Sequence, residues 1–198
     1  MTWIQTGLEV EFMRYLKEIF LMLLRWRLIL DGVQCQSSVR IRGYPLVHVN
    51  KKARIVLGNH VVLQSKSLRY HGFMHSPVKL LADAPGAVIE VGDESRLNGA
   101  CLHAVKYIRI GKRCLFASGV QVLDSNAHRL SMDQPSSRLR TVDEGRPIII
   151  GDDVWLGLNV IVLPGTRIGD GSIIGAGVIL SGDIPAGSIV RPAPYVIA

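Results

Sequence analysis

A parallel β-helix with an N-terminal α-helical arm is the fold that this 198-residue sequence predicts, all-β apart from the arm. Two observations carry the prediction. Beyond residue 147 every sixth position is a branched aliphatic: Ile150, Leu156, Val162, Ile168, Ile174 and Leu180. Such residues fill about a third of the chain, so chance gives six in succession roughly once in a thousand. A companion series, Val154, Val160, Thr166, Ser172, Val178 and Ile184, is small or β-branched. A helix needs a period near 3.6 and a simple strand a period of 2, so a strict six fits neither. At the other end, residues 7–30 hold no proline and no glycine after Gly7, and they stop before Asp31-Gly32, which reads as a helix of about 20 residues.

The arm, residues 1–31, comes first. Within residues 7–30 the longest uncharged run is only Ile19–Leu24, and Arg25 and Arg27 follow at once, whereas a spanning helix needs about 20 apolar residues. A transmembrane span is therefore not expected. Arg14, Lys17, Arg25 and Arg27 with Trp3 and Trp26 suit a helix packed on its own domain or a partner subunit, the preferred reading. They also suit a helix lying at a membrane interface, so peripheral membrane contact through residues 1–30 stays open. Glu9 and Glu11 stand where a secretory signal would be basic, which points to a cytoplasmic protein.

Residues 32–198 form the predicted shaft. Each hexad reads as a short flat strand plus a corner: the aliphatic points inward, the small residue shares the narrow interior, and the glycines of Ile150-Gly151, Leu156-Gly157, Ile168-Gly169 and Ile174-Gly175 turn the corner with a positive φ. The phase recurs at Val91, Leu97, Ile110, Phe116 and Val122, and more weakly at Val49, Ile55 and Val61. Two stretches break it and read as inserted loops. Residues 64–87 carry Lys66, Arg69, His71, His75, Pro77 and Pro85, and residues 124–147 are rich in Asp, Asn, His and Arg. A regular shaft has no structural use for such excursions, and long loops of this kind are usually functional or disordered.

Composition limits what the shaft can be. With 48% hydrophobic and 20% charged residues the chain is neither disordered nor collagen-like. Cys35, Cys101 and Cys114 form no CxxC and no even-numbered framework, so they read as small buried hydrophobes in a reducing compartment. The net charge is +7, yet residues 1–86 carry 12 of the 23 Lys and Arg and 5 of the 16 acids, which leaves 11 of each in residues 87–198. The basic excess sits in the first part, where it suits a membrane surface or an anionic ligand, while the balanced shaft gives nucleic acid no role.

The run IGDDVWLGLNVIVLPGTRIGDGSIIGAGVILSGDIPAGSIV, residues 150–190, resembles the closing coils of the hexapeptide-repeat acyltransferases, which include the maltose, galactoside and xenobiotic acetyltransferases. The stretch from Asn98 through HAVKYIRIGKRCLFASGVQVLDSNAH, ending at His128, is more similar to bacterial O-acetyltransferases of lipopolysaccharide and capsule biosynthesis. The resemblance implies a left-handed β-helix assembled as a homotrimer with active sites between subunits. It implies acetyl transfer from acetyl-CoA, without a metal, to a sugar hydroxyl of a surface polysaccharide or its lipid-linked precursor. The same chemistry on a free sugar or xenobiotic is the alternative.

The position matching the family's catalytic histidine is His128. An alcohol must lose its proton as it attacks a thioester, and an imidazole titrating near 6.5 is the natural acceptor. Asn98 matches an asparagine that contributes to the oxyanion site, with Asn126 as rival and a corner-stabilising role as the structural alternative. His103 falls at an inward hexad position. Trp155 matches a tryptophan near the donor channel, and the pantetheine arm is implied to run past Gly157, Leu158, Ala176 and Ser181. The family's Thr-Lys before Asp183 reads Ser181-Gly182 here, and its close reads Arg191-Pro192-Ala193-Pro194-Tyr195, so Arg191 and Arg167 are the cationic candidates for the phosphates. A zinc-dependent carbonic anhydrase on the same fold would need three histidines, of which only His71 and His75 have close spacing. A scaffold without catalysis is a further option, against which the loop bearing His128 argues.

Overall fold

The computed structural model describes residues 2–68 and 70–193, without the side chains of residues 2–9 and of Lys17. Of the residues singled out above, Arg69, Pro194 and Tyr195 and the side chains of Trp3, Glu9 and Lys17 lie outside the described residues.

Among the described residues twenty short strands wind into three sheets in which every described pairing is parallel. One turn of the chain supplies one strand to each sheet. The first coil is Val33–Cys35, Arg40–Arg42 and Leu46–Val49; the sixth is Arg167–Ile168, Ile173–Ile174 and Ile179–Leu180; a seventh ends after Asp183–Ile184 and Ile189–Val190. In the late coils register follows an 18-residue turn. Ile150 pairs with Ile168, Leu156 with Ile174, and Val162 with Leu180, so residues three hexads apart sit one above the other. All six aliphatics of the leading series are buried, as are Val154, Val160, Thr166, Ser172 and Val178 of the companion series. The two buried hydroxyls stay hydrogen-bonded: Thr166 donates to the Leu163 carbonyl at 2.7 Å and Ser172 to that of Pro185 at 3.1 Å. A narrow shaft admits small polar residues only on that condition.

The corner glycines do a different job from the one their position suggests. Gly151, Gly157, Gly169 and Gly175 do not have positive φ; the left-handed positions lie elsewhere in the hexad, at Asp153, Asn159, Gly165, Gly171 and Gly177. At the corner after the first sheet, glycines stack one above another because successive coils leave no room for a Cβ. An added Cβ would lie 2.6 Å from the Gly111 carbonyl at Gly92 and closer still to that of Gly151 at Gly111. The space is used by aspartates. Asp93, Asp152 and Asp170 each accept a hydrogen bond from a backbone N–H of the preceding coil, at Asn59, Lys112 and Asp152, at 2.8, 2.9 and 2.8 Å. Beside them Arg113 grips both oxygens of Asp153 at 2.7 Å, which holds that carboxyl below its ordinary range.

The arm is a helix over Thr2–Leu30, five residues longer at its start than the sequence predicts. Its last turns cap the open end of the shaft: Leu28 is fully buried, and Leu24 packs against the same core. The Arg25 guanidinium donates to the Ser37 carbonyl at 2.7 Å, and Tyr44 donates to Asp31 at the helix exit. Among the described residues no helix is long and apolar enough to cross a membrane.

The first inserted loop is shorter than expected, because Lys79–Ala82 forms a strand between Leu46–Val49 and Cys101–Ala104 in the third sheet. Pro77 and Pro85 flank that strand and mask it in the sequence. The excursion proper covers residues 65–78. At the second loop, strands end at Leu123 and resume at Ile148, with one short 3-10 helix over Pro135–Arg140.

Gly111→Ala is expected to destabilise the shaft by about 3 kcal/mol, since the new methyl meets backbone that cannot move aside. Gly175→Ala, whose Cβ would lie 3.2 Å from its nearest neighbour, costs far less. Thermal denaturation of the two variants measures the contrast, and equal losses would contradict it.

Candidate active site

Alternation along the second sheet turns Ile41, Leu63, Leu97, Phe116, Leu156 and Ile174 inward, so their neighbours in each strand face out. Stacking aligns these neighbours into a column: Arg40, Val62, Arg96, Leu115, Trp155 and Ile173. A groove of about 1350 Å³ runs along this face. The arm walls it through Glu18, Phe20, Leu21 and Arg25, and the 65–78 loop walls it through Leu68, Tyr70 and His71. That loop is fixed to the shaft. The Ser118 N–H donates to the Tyr70 hydroxyl at 3.1 Å, the Ser118 hydroxyl donates to the Phe73 carbonyl at 3.0 Å, and Met74 is buried where Gly99 leaves space.

Four of the residues matched to the donor channel, Trp155, Gly157, Leu158 and Ala176, line this groove together. Trp155 is half exposed, its ring free to meet a ligand. Arg191 follows the last strand of the same sheet, stacked against Gly175. Ser181 and Arg167 are exposed and line other faces: Ser181 follows the last strand of the third sheet, and Arg167 sits on the first. Asn98 lines the groove but is almost fully buried, and its amide donates to the Phe116 carbonyl at 2.6 Å. One of its two N–H bonds thus joins coils.

His128 lies on the 124–147 loop, at the corner between the third and first sheets, and is not among the residues lining the groove. The root of this loop is rigid. Asp124 is fully buried, and its carboxylate accepts three backbone N–H bonds at 2.8 Å, from Val105, Lys106 and Tyr107. Asp143 closes the turn by accepting the Asn126 N–H at 2.8 Å and its side-chain amide at 3.1 Å; those bonds, the backbone one foremost, hold its carboxyl below the ordinary range. Asn126 is thereby committed to the loop. Nδ1 of His128 sits 3.3 Å from the Thr141 carbonyl. A carbonyl only accepts, so the contact is a hydrogen bond when Nδ1 carries the proton, and the neutral ring then keeps its lone pair on Nε2.

His103 does not point into the shaft. Leu102 and Ala104 take the interior, and His103 faces outward, with Nε2 3.3 Å from Asp83, which His48 approaches at 3.5 Å from the other side. The hexad phase slips there because the turn between Asn98 and Cys101 is short. Burial pushes the Cys114 thiol up to about 11 and raises Cys35 and Cys101, so none offers a thiolate nucleophile at neutral pH. Among the described residues no group of three His, Cys, Asp or Glu is arranged to hold a metal ion. The sequence reading missed Tyr70 and the outward arginines of the second sheet, whose only signal is an 18-residue register that the loops interrupt.

Residues 147–181 match the family model described as the hexapeptide repeat of succinyl-transferase. WbbJ of Escherichia coli strain K12, named as a lipopolysaccharide biosynthesis O-acetyl transferase, is 32% identical over 152 residues, which cover 73% of this chain and 77% of that protein. The galactoside O-acetyltransferase of Lactococcus lactis is 37% identical over 90 residues, 46% of this chain and 42% of the relative. Among solved structures, the hexapeptide-repeat containing acetyltransferase VCA0836 from Vibrio cholerae is similar at 28% identity over 51% of this chain and 56% of that one, with a TM-score of 0.46. The class defined by coil, groove and loop is a β-helical transferase. The chain belongs to the hexapeptide-repeat acetyltransferases, with their left-handed β-helix.

Proposed function

We propose that this enzyme transfers an acetyl group from acetyl-CoA to a sugar hydroxyl of a bacterial surface polysaccharide or its lipid-linked precursor, with His128 as general base. The observation that carries the reading is the pinned His128 ring, whose Nδ1 faces the Thr141 carbonyl and whose Nε2 is left to accept a proton. The name of the relative WbbJ supports the choice of acceptor. In the reaction the acceptor oxygen attacks the thioester carbon while Nε2 takes its proton. The tetrahedral oxyanion collapses, the carbon–sulfur bond breaks, and the imidazolium returns the proton to the leaving thiolate. No covalent enzyme intermediate is required. Trp155, Gly157, Leu158 and Ala176 make the donor track, Arg191 extends it, and Asn98 contributes a donor to the oxyanion.

His128 and the groove occupy different faces of one chain, which supports a homotrimer in which the loop of one protomer brings His128 to the groove of the next. The catalytic unit is then residues 32–198, with residues 1–31 as its arm. A second reading rests on His71, which lines the groove beside Leu158 within a single protomer. His128→Ala is expected to lower the turnover of acetyl transfer by about 10²–10⁴-fold with CoA binding and melting temperature unchanged, while His71→Ala keeps most activity. The reverse pattern would pass the base role to His71.

The arm supports a place at a membrane surface. Phe12, Tyr15, Ile19, Leu23 and Trp26 are exposed on the side away from the shaft, while Leu24 and Leu28 pack inward. A broad apolar face with arginines at its margins suits the interface of an anionic bilayer. Deleting residues 1–20, which leaves the capping turns in place, should reduce cosedimentation with phosphatidylserine-containing vesicles. Unchanged binding would leave the arm only its capping role.

A further inference from the structure

The groove has two chemically distinct halves. Toward the late coils it is lined by Trp155, Gly157, Leu158, Ile173 and Ala176; toward the early coils it presents Arg25, Arg40, Arg42, Lys66 and Arg96, with Glu18 as the one acid among its described lining residues. Arg40, Arg42, Lys66 and Arg96 are exposed, and among the described residues none has a carboxylate within ion-pair distance. The first sheet shows the contrast: there Arg54 meets Glu90 at 3.2 Å. Like charges left unpaired along one groove raise each other's energy, and an anion seated among them relieves it.

We propose that this basic half is the seat of a diphosphate carried by the acceptor, so that the sugar to be acetylated arrives as a diphosphate-linked glycan. The proposal rests on the acetyl-transfer reading above and names the acceptor class for the same site. Geometry fits the assignment. Arg40 and Arg96 belong to one outward column with Val62 between them, which places their Cα atoms about 10 Å apart, and Arg42 lies about 7 Å along the same strand from Arg40. Long guanidinium arms from those positions converge on a group the size of a diphosphate, and their planar forks bind its oxygens in pairs. Leu115 separates Arg96 from Trp155, which leaves about 10 Å of groove, room for a sugar, between the diphosphate and the donor half. The diphosphate of a lipid-linked and of a nucleotide-linked sugar share this chemistry.

Titration calorimetry of the full chain with farnesyl diphosphate, uridine diphosphate and CoA tests the proposal. Wild type is expected to bind at least one of the two diphosphate probes. Arg40→Gln/Arg96→Gln weakens that binding at least about tenfold, Arg40→Lys/Arg96→Lys restores most of it, and CoA affinity changes less than about twofold. Tighter binding of the farnesyl probe identifies a lipid-linked acceptor, and tighter binding of the uridine probe a nucleotide-linked one. The proposal is overturned if neither probe binds, if the glutamine variant binds as wild type does, or if CoA affinity falls in step with the probes, which would give the arginines to the donor. A wild-type chain that binds the probes but not CoA contradicts the donor assignment instead and leaves the diphosphate seat standing.

Discussion

Each coil of the shaft gives its backbone N–H groups to a neighbouring coil at a spacing near 4.8 Å, and at the corner after the first sheet only glycine allows so close an approach. Everything else depends on that contact. Where Gly58, Gly111 and Gly151 remove the Cβ, aspartates from the next coil reach back to bond exposed N–H groups, so the corner that has lost side-chain packing gains hydrogen bonds in its place. The strands stay in parallel register from coil to coil, 18 residues apart in the late coils and further apart where loops are inserted, which lines up corresponding faces over the length of the shaft. A face lined up in this way can hold an extended ligand without any loop having to find it.

The two inserted loops exploit the same rigidity. Residues 65–78 fold back on the shaft through Tyr70, Phe73 and Met74 and raise one wall of the groove; the arm raises the other. Residues 124–147 leave the shaft at Asp124, whose three backbone bonds fix the exit direction, and carry His128 outward. The scaffold thus separates parts: a groove on one face, the loop histidine His128 at the opposite corner, and an apolar helix capping one end. In the proposed trimer the symmetry of the assembly reunites the first two.

The shaft was legible in the sequence because its period is intolerant: an inward position that is not aliphatic or small opens a void or buries a polar group. The site was legible only in part. His128 and Trp155 stood out through resemblance to a family, whereas Arg40, Arg42 and Arg96 are separated by loops of unequal length and share a face only after the chain has coiled. The glycines stand at the corners their spacing indicates but serve close approach and not a positive φ, and a residue lacking Cβ is compatible with either. His103 misled for a related reason. A one-residue slip at the tight turn between Asn98 and Cys101 puts Leu102 and Ala104 inside and turns His103 to the other face. Part of the charge excess of the first 86 residues lies on the groove wall, at Arg25, Arg40, Arg42 and Lys66.

Whether groove and base come from different protomers is tested most directly by mixing two inactive variants. His128→Ala keeps the groove and lacks the base; Ala176→Trp fills the groove and keeps the base. Co-expressed, they are predicted to recover roughly a quarter of wild-type acetyl transfer, because that share of sites in mixed trimers pairs an intact groove with an intact histidine. Mixed oligomers with no recovery would contradict the shared site and place groove and base in a single chain.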